Sequence, residues 1–312
     1  MDLIYTLSGK ELYDRAIIFR RNFDFNNFII YITMAANYDY DLAVYNIYTC
    51  KTYQKQNYAI TLKFYEETAY NTNLKNSYSI HFLAYMYSHG LGVEKNYNKA
   101  YELYMMAIKK GNLQSLMNIG FLEARGVGFD FKKIIDMCNR EIENNDIGAY
   151  NKLGYMHEFG YGMEINHVEA IRLYEIGVEK GHTQSLYMLA RILENNSKHK
   201  CNYVKVLQLY KAAIKKDHLG SLICLANMYK DRYNIKQNGA KAIKLFEIAI
   251  EKGSIVEIDY VASHYIIGKF VPQNYDKAIK LYNLKIKYFP SNTFYLNRLL
   301  KIKCLGAEGA VT

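Results

Sequence analysis

One large residue followed by one small residue returns along this chain at a nearly constant interval. The pair stands at Leu83 and Ala84, Ile119 and Gly120, Leu153 and Gly154, Leu189 and Ala190, Leu225 and Ala226, and Val261 and Ala262. Ile47 and Tyr48 form a degenerate earlier copy, and the steps are 36, 36, 34, 36, 36 and 36 residues. A second series keeps the same register. It places an aromatic at Tyr65, Tyr104, Tyr174, Tyr210, Phe246 and Tyr282, with Cys138 in the short unit. Ala100, Ala170, Ala242 and Ala278 precede four of these aromatics by one helical turn. A fixed period of this length means one supersecondary unit stacked on copies of itself, because a lone helix pair cannot bury its apolar face.

The unit is helical. Tyr97, Ala100, Tyr101, Tyr104, Ala107 and Ile108 fall on one face of a helix. Gly90 and Gly92 stand where the first helix must stop and the chain reverse, and the pair returns at Gly126 and Gly128 and at Gly160 and Gly162. Gly111, Gly181 and Gly253 close the second helix, each after a lysine. The small residues Ala84 and Ala100 allow the two helices of a unit to approach closely, with Leu83 and Tyr104 filling the space around them, and Gly154, Ala170 and Tyr174 are their repeat equivalents. Only two prolines interrupt 312 residues, which also favours helix. The expected fold is all-α, a superhelix of helix-turn-helix repeats.

The organisation follows from the same register. Residues 1–38 read as a drifted N-terminal pair capping the array, with Ser8 and Glu11 as a capping box. Residues 39–289 hold six to seven units, residues 290–304 a closing helix, and residues 305–312 a disordered tail. The chain shows no basic leader followed by an apolar run and no stretch of about 18 apolar residues, so neither a secretory signal nor a membrane span is expected. Five cysteines without a C-x-x-C pair indicate a reducing, intracellular setting rather than a disulfide scaffold or zinc site.

Catalytic signatures are missing. None of the eight histidines lies in H-E-x-x-H; His157 and Glu158 are adjacent, but Tyr161 stands where a second ligand would be needed. The glycine pairs follow a helix rather than a strand and recur with the repeat, so they are hinges and not phosphate loops. The expectation is a non-enzymatic protein without metal or cofactor. A net charge of +10 admits a nucleic-acid partner, but the lysines are spread over most units beside acidic residues, as on a solvated face.

The string from Ser77 to Gly111, and its copy from Ala149 to Gly181, resemble the Sel1-like repeat, a branch of the tetratricopeptide superfamily. The cysteine pairs of one bacterial branch are lacking, so neither its disulfides nor its activity are carried over. The Lys, Asn, Ile and Tyr bias reads as an AT-rich genome, compatible with a giant virus or an intracellular bacterium. The resemblance implies a right-handed superhelix acting as an adaptor, whose first helices line a concave groove. Two registers then point into that groove. One holds Tyr85, Phe121, Tyr155, Arg191, Asn227 and Ser263; the other holds His81, Met117, Asn151, Tyr187, Ile223 and Asp259. Tyr85, Phe121 and Tyr155 form an aromatic stripe suited to a partner peptide or helix. Candidate partner-binding residues are therefore Tyr85, Phe121, Tyr155, His81, Met117, Asn151, Tyr187 and Arg191. The expected function is protein-partner binding by a monomer or weak dimer. A basic nucleic-acid-binding repeat is the alternative; against it, the groove positions hold a single cation, Arg191, and include Asp259.

Overall fold

The computed structural model describes residues 7–21, 25–37, 58–70, 77–123, 131–195, 203–231, 237–252, 254, 256–288 and 293–308. Every regular element among them is an α-helix. In chain order these are α1 (Gly9–Arg21), α2 (Phe25–Asn37), α3 (Tyr58–Ala69), α4 (Ser77–His89), α5 (Tyr97–Lys109), α6 (Gln114–Glu123), α7 (Lys132–Glu143) and α8 (Ile147–Phe159). There follow α9 (His167–Glu179), α10 (Thr183–Asn195), α11 (Tyr203–Lys215), α12 (Leu219–Lys230), α13 (Gly239–Glu251), α14 (Ile258–Ile267), α15 (Tyr275–Tyr288) and α16 (Thr293–Glu308). The chain divides into two compact units, residues 1–16 with 25–209, and residues 17–24 with 210–312. Helices pack in chain order within each: α2 to α6 and α7 to α10 in the first, α12 to α16 in the second.

Four of the described hinges are held shut by the same devices. Asn96, Asn166, Asn238 and Asn274 accept the backbone N–H three residues on, at 2.9, 3.0, 3.0 and 2.9 Å, and so start the second helix. Their own N–H groups donate to the carbonyls of Tyr87, His157, Tyr229 and Tyr265 at 2.9, 2.9, 3.0 and 2.8 Å, which ties the end of the first helix to the start of the second. Gly90, Gly92, Gly160, Gly162 and Gly268 take positive φ in these turns. At the far end of the second helix Gly111 and Gly181 do likewise, and Asn145 and Asp217 occupy the matching left-handed places in other units. Gly126 and Gly128 lie outside the described residues, as do Gly253 and the degenerate pair Ile47 and Tyr48.

The core is the crossing of the two helices in a unit. Tyr104, Tyr174, Phe246 and Tyr282 are buried, as are Leu83, Ala84, Ala100, Ala170, Ala242 and Ala278. A Cβ at Gly154 would stand 2.7 Å from Tyr174 Cε1, so the ring lies directly on the backbone of α8. At α1 the capping box is present: Ser8 N–H donates to Glu11 Oε2 at 2.8 Å and Glu11 N–H to Ser8 Oγ at 3.3 Å. The C-terminus departs from expectation. Helix α16 runs to Glu308, so residues 305–308 are helical rather than tail. Gly306 costs a helix only about 1 kcal/mol relative to Ala, and no proline follows to stop it.

Two hinges exchange roles. Where α7 begins, Phe131 packs on Gly162 of the next hinge, and a Cβ at Gly162 would overlap Phe131 Cβ. Three periods later the glycine is Gly239, at the start of α13, and the ring is Phe270, in the hinge after α14. Phe270 holds φ +68, a conformation unfavourable for a side chain of that size. It persists because its ring fills the space Gly239 leaves. Gly239→Ala should therefore cost about 1–3 kcal/mol by overpacking. In a Phe270→Gly background the same change should become neutral or stabilising by up to about 1 kcal/mol, since Ala is the better helix former. A double-mutant cycle in urea checks this reversal of sign.

Candidate functional site

The outward residues of α4, α6, α8 and α10 are set by the burial of the opposite side of each helix. Phe121 and Met117, one turn apart on α6, are 52% and 51% exposed. Tyr155 on α8 and Tyr187 on α10 are half-buried. Tyr85 is half-buried and stacks on His89 of its own helix at 4.0 Å between ring centroids. Two of the expected groove residues are not surface groups: His81 is 2% exposed and Asn151 3%. His81 Nδ1 pairs with Ser115 Oγ at 2.9 Å, which ties α4 to α6. The register argument failed there because it took direction from period alone, whereas neighbouring first helices close over the positions between them.

Of the stripe, Tyr155 is packed among other rings. Tyr155 lies 4.6 Å from Phe159 and 6.0 Å from Tyr161, and Tyr161 lies 6.0 Å from Phe159 and 6.2 Å from Phe131. A Cβ at Gly120 would stand 2.8 Å from Tyr161 Cε1, so α6, which carries Phe121 and Met117, rests on the same ring. Phe159, Tyr161 and Phe131 were not singled out from sequence. The spacing of Phe159, one turn beyond Tyr155, would have found the first of them.

Arg191 joins this cluster to the core. Its Nη2 donates to Glu158 Oε1 at 2.7 Å, and its guanidinium lies 5.3 Å from the Phe159 ring centroid. Glu158 is itself buried and accepts the Tyr174 hydroxyl at 2.8 Å. Burial, reinforced by the neighbouring Glu158 carboxylate, raises the Tyr174 hydroxyl pKa. Burial likewise pushes Tyr155 up to about 12. The only other cation on α4, α6, α8 or α10 is Lys152, buried and paired with Glu141 at 2.7 Å. Both cations of these four helices are thus committed to carboxylates, while lysines such as Lys99, Lys109, Lys132 and Lys133 sit on the second helices.

Burial raises the Cys138 thiol to about 12, which keeps it protonated. Among the described residues no group of three or more His, Cys, Asp or Glu is placed to hold a metal, and no helix is long and apolar enough to cross a membrane.

The Sel1 repeat family model matches residues 77–112, 147–182, 224–254 and 260–284. The chain carries Sel1 repeats over these segments. Sel1 repeats generally serve as protein-interaction scaffolds. The first two matched segments open with α4 and α8 and include the hinges after them, so Tyr155, Phe159 and Tyr161 lie within one matched repeat, while α6, α7 and α10 lie outside the matched segments. No curated protein matches the chain. Among solved structures, a Sel1 repeat protein from Oxalobacter formigenes is 22% identical over 74% of this chain and 78% of its own, with a TM-score of 0.40. Protein c5321, a protective antigen of uropathogenic Escherichia coli, is 17% identical over 88% and 68%, with a TM-score of 0.33. The immunity protein Pa5087 from Pseudomonas aeruginosa is 16% identical over 77% and 73%, with a TM-score of 0.39.

His81 gives a pH test of the packing. Burial pushes its imidazole down to about 3 from 6.5. The folded-state value is depressed, so the unfolded chain binds more protons below about pH 6.5, and stability falls as pH drops from there toward 3. The loss should reach on the order of 2 kcal/mol at pH 5. Urea unfolding at pH 7 and pH 5 should show that difference in the native chain and a smaller one in His81→Leu.

Proposed function

We propose that this Sel1-like repeat protein is a non-enzymatic adaptor that holds a partner protein against the outward face of α6, α8 and α10. The observation that supports it is the exposed pair Phe121 and Met117 beside the packed cluster of Tyr155, Phe159 and Tyr161. Rings already held by their neighbours lose little freedom on binding, and aromatic anchors carry much of the energy of protein interfaces. The family's general use of these repeats points the same way. The protein works as a monomer or weak dimer in a reducing compartment, consistent with its buried, protonated Cys138.

The electrostatics favour a protein partner over nucleic acid. A groove that follows phosphates needs uncommitted lysine or arginine, and both cations of the four first helices are paired. The overall +10 charge lies mainly elsewhere.

The test is selection from a random peptide library displayed on phage, followed by titration of the selected peptides. Phe121→Ser combined with Met117→Ser should weaken binding by about tenfold or more, as loss of one anchor commonly costs over 1 kcal/mol. Helicity by circular dichroism should not change, because both side chains are exposed. Peptides indifferent to the double substitution would reject this face. Single-stranded oligonucleotide binding with a steep salt dependence would transfer the function to the basic surface.

A further inference from the structure

The net charge is not shared along the chain. Residues 1–209 carry 23 Lys and Arg against 22 Asp and Glu, a net +1, and residues 210–312 carry 17 against 8, a net +9. Arg20, Arg21 and Asp24 add one more, so the second compact unit, residues 17–24 with 210–312, holds the whole +10 and the first is neutral. Packing uses only part of this charge. Lys230, Lys252, Lys277 and Lys285 form ion pairs. Lys211, Lys215, Lys244, Lys280 and Lys301 are exposed and form none among the described residues. Exposed cations crowded together repel one another, and an anionic partner relieves that repulsion.

The last helix of this unit supplies a second observation. Helix α16 buries Leu299 and Ile302 and packs on α15. Away from that contact it carries Phe294 and Leu300, 56% and 54% exposed, beside the exposed cations Arg298 and Lys301. The Arg298 guanidinium lies 5.6 Å from the Phe294 ring centroid. Over the length of α16, Arg298, Lys301 and Lys303 face a single acid, Glu308. The end of a repeat array ordinarily turns a polar face to water. Here it presents large apolar side chains among cations, a combination that marks an interaction surface.

The charges select the occupant. A second copy of the chain would set Arg298 and Lys301 against their own equivalents across a two-fold contact, which is repulsive. Of the 17 cations in residues 210–312, 15 are lysine and only Arg232 and Arg298 are arginine. Lysine is a hydrated point charge without the fixed fork by which arginine grips one phosphate or carboxylate. The segment is therefore suited to a diffuse field of negative charge rather than to singly placed groups. Leu300 offers no ring face to a nucleic-acid base. We infer that α16 docks on an anionic lipid surface, with Phe294 and Leu300 entering the boundary between headgroups and acyl chains and the lysines of residues 210–312 attracting the headgroups. The chain lies on that surface; among the described residues no helix is long and apolar enough to cross it. This docking is separate from the adaptor reading and makes no use of Phe121.

The experiment is sedimentation of the full chain with vesicles of phosphatidylcholine containing about 30% phosphatidylserine, beside vesicles of phosphatidylcholine alone. The native chain should partition at least about tenfold more strongly to the anionic vesicles and lose most of that preference in about 0.5 M salt. Phe294→Ser combined with Leu300→Ser should weaken partitioning about tenfold. Lys280→Glu combined with Lys301→Glu should weaken it by about tenfold or more. Lys109→Glu combined with Lys110→Glu makes the same change of net charge in the first unit and should weaken it by less than about twofold. All six side chains are exposed, so the melting temperatures should stay near that of the native chain. Absence of binding to the anionic vesicles overturns the inference. Native partitioning in the Phe294 and Leu300 variant, or equal losses from the two charge reversals, overturns it too, because binding would then follow total charge alone. A chain that leaves the vesicles in solution yet binds a single-stranded oligonucleotide or polyglutamate gives the basic face to that partner instead. Peptide binding that depends on Phe121 should be unaffected by these variants, so the adaptor reading stands or falls separately.

Discussion

The structure depends on one contact, the crossing of the two helices inside each repeat, where a ring on the second helix lies on a small residue of the first. Tyr174 on Gly154 shows it most directly, with no room for a side chain between them. A buried tyrosine brings its hydroxyl inside, and that hydroxyl must be answered. Thr33 does this for Tyr65, Ser88 for Tyr104 and Glu158 for Tyr174. Glu158 is the consequential case. A carboxylate drawn into the core requires a cation, which Arg191 provides from the next repeat, and the guanidinium then lies over Phe159. The candidate face is thus an extension of core packing through three side chains.

The same logic governs the hinges. Asn side chains start the second helix, and backbone bonds across the turn fix its departure from the first. Where a unit loses the usual glycine, the space is kept by exchange, as Phe131 on Gly162 becomes Phe270 on Gly239. Packing volume is conserved while residue identity moves from one side of the contact to the other. A position-by-position comparison of repeats sees two unrelated substitutions there, whereas the folded chain shows one contact.

Charge is divided between the two sides of the repeat. Lysines crowd the second helices, where many pair with acidic neighbours, as Lys99 does with Glu102 and Lys205 with Glu175. The first helices of the first unit present rings, small polar groups and two committed cations. An exposed apolar face beside neutral polar groups favours a partner recognised by shape and hydrogen bonds.

Helix positions, hinges and core were legible because each rests on a local rule repeated at a fixed interval. The capping box expected at Ser8 and Glu11 opens α1, and the face expected over Tyr97 to Ile108 lies on α5. Tyr104, Tyr174, Phe246 and Tyr282 are buried as their register requires. The site was only half legible. Phe121 and Met117 are exposed as the register implied, yet His81 and Asn151 at equivalent places are buried, and of the other cluster residues only Phe159 was signalled, by its spacing from Tyr155. The amino-acid sequence alone determined the repeat, its helical class and the residues at each crossing, since these follow from period, helix geometry and side-chain size. Only the tertiary structure decided which outward residues meet water and which polar atoms go without a partner, because that depends on how closely one repeat seats on the next, a distance no single repeat encodes.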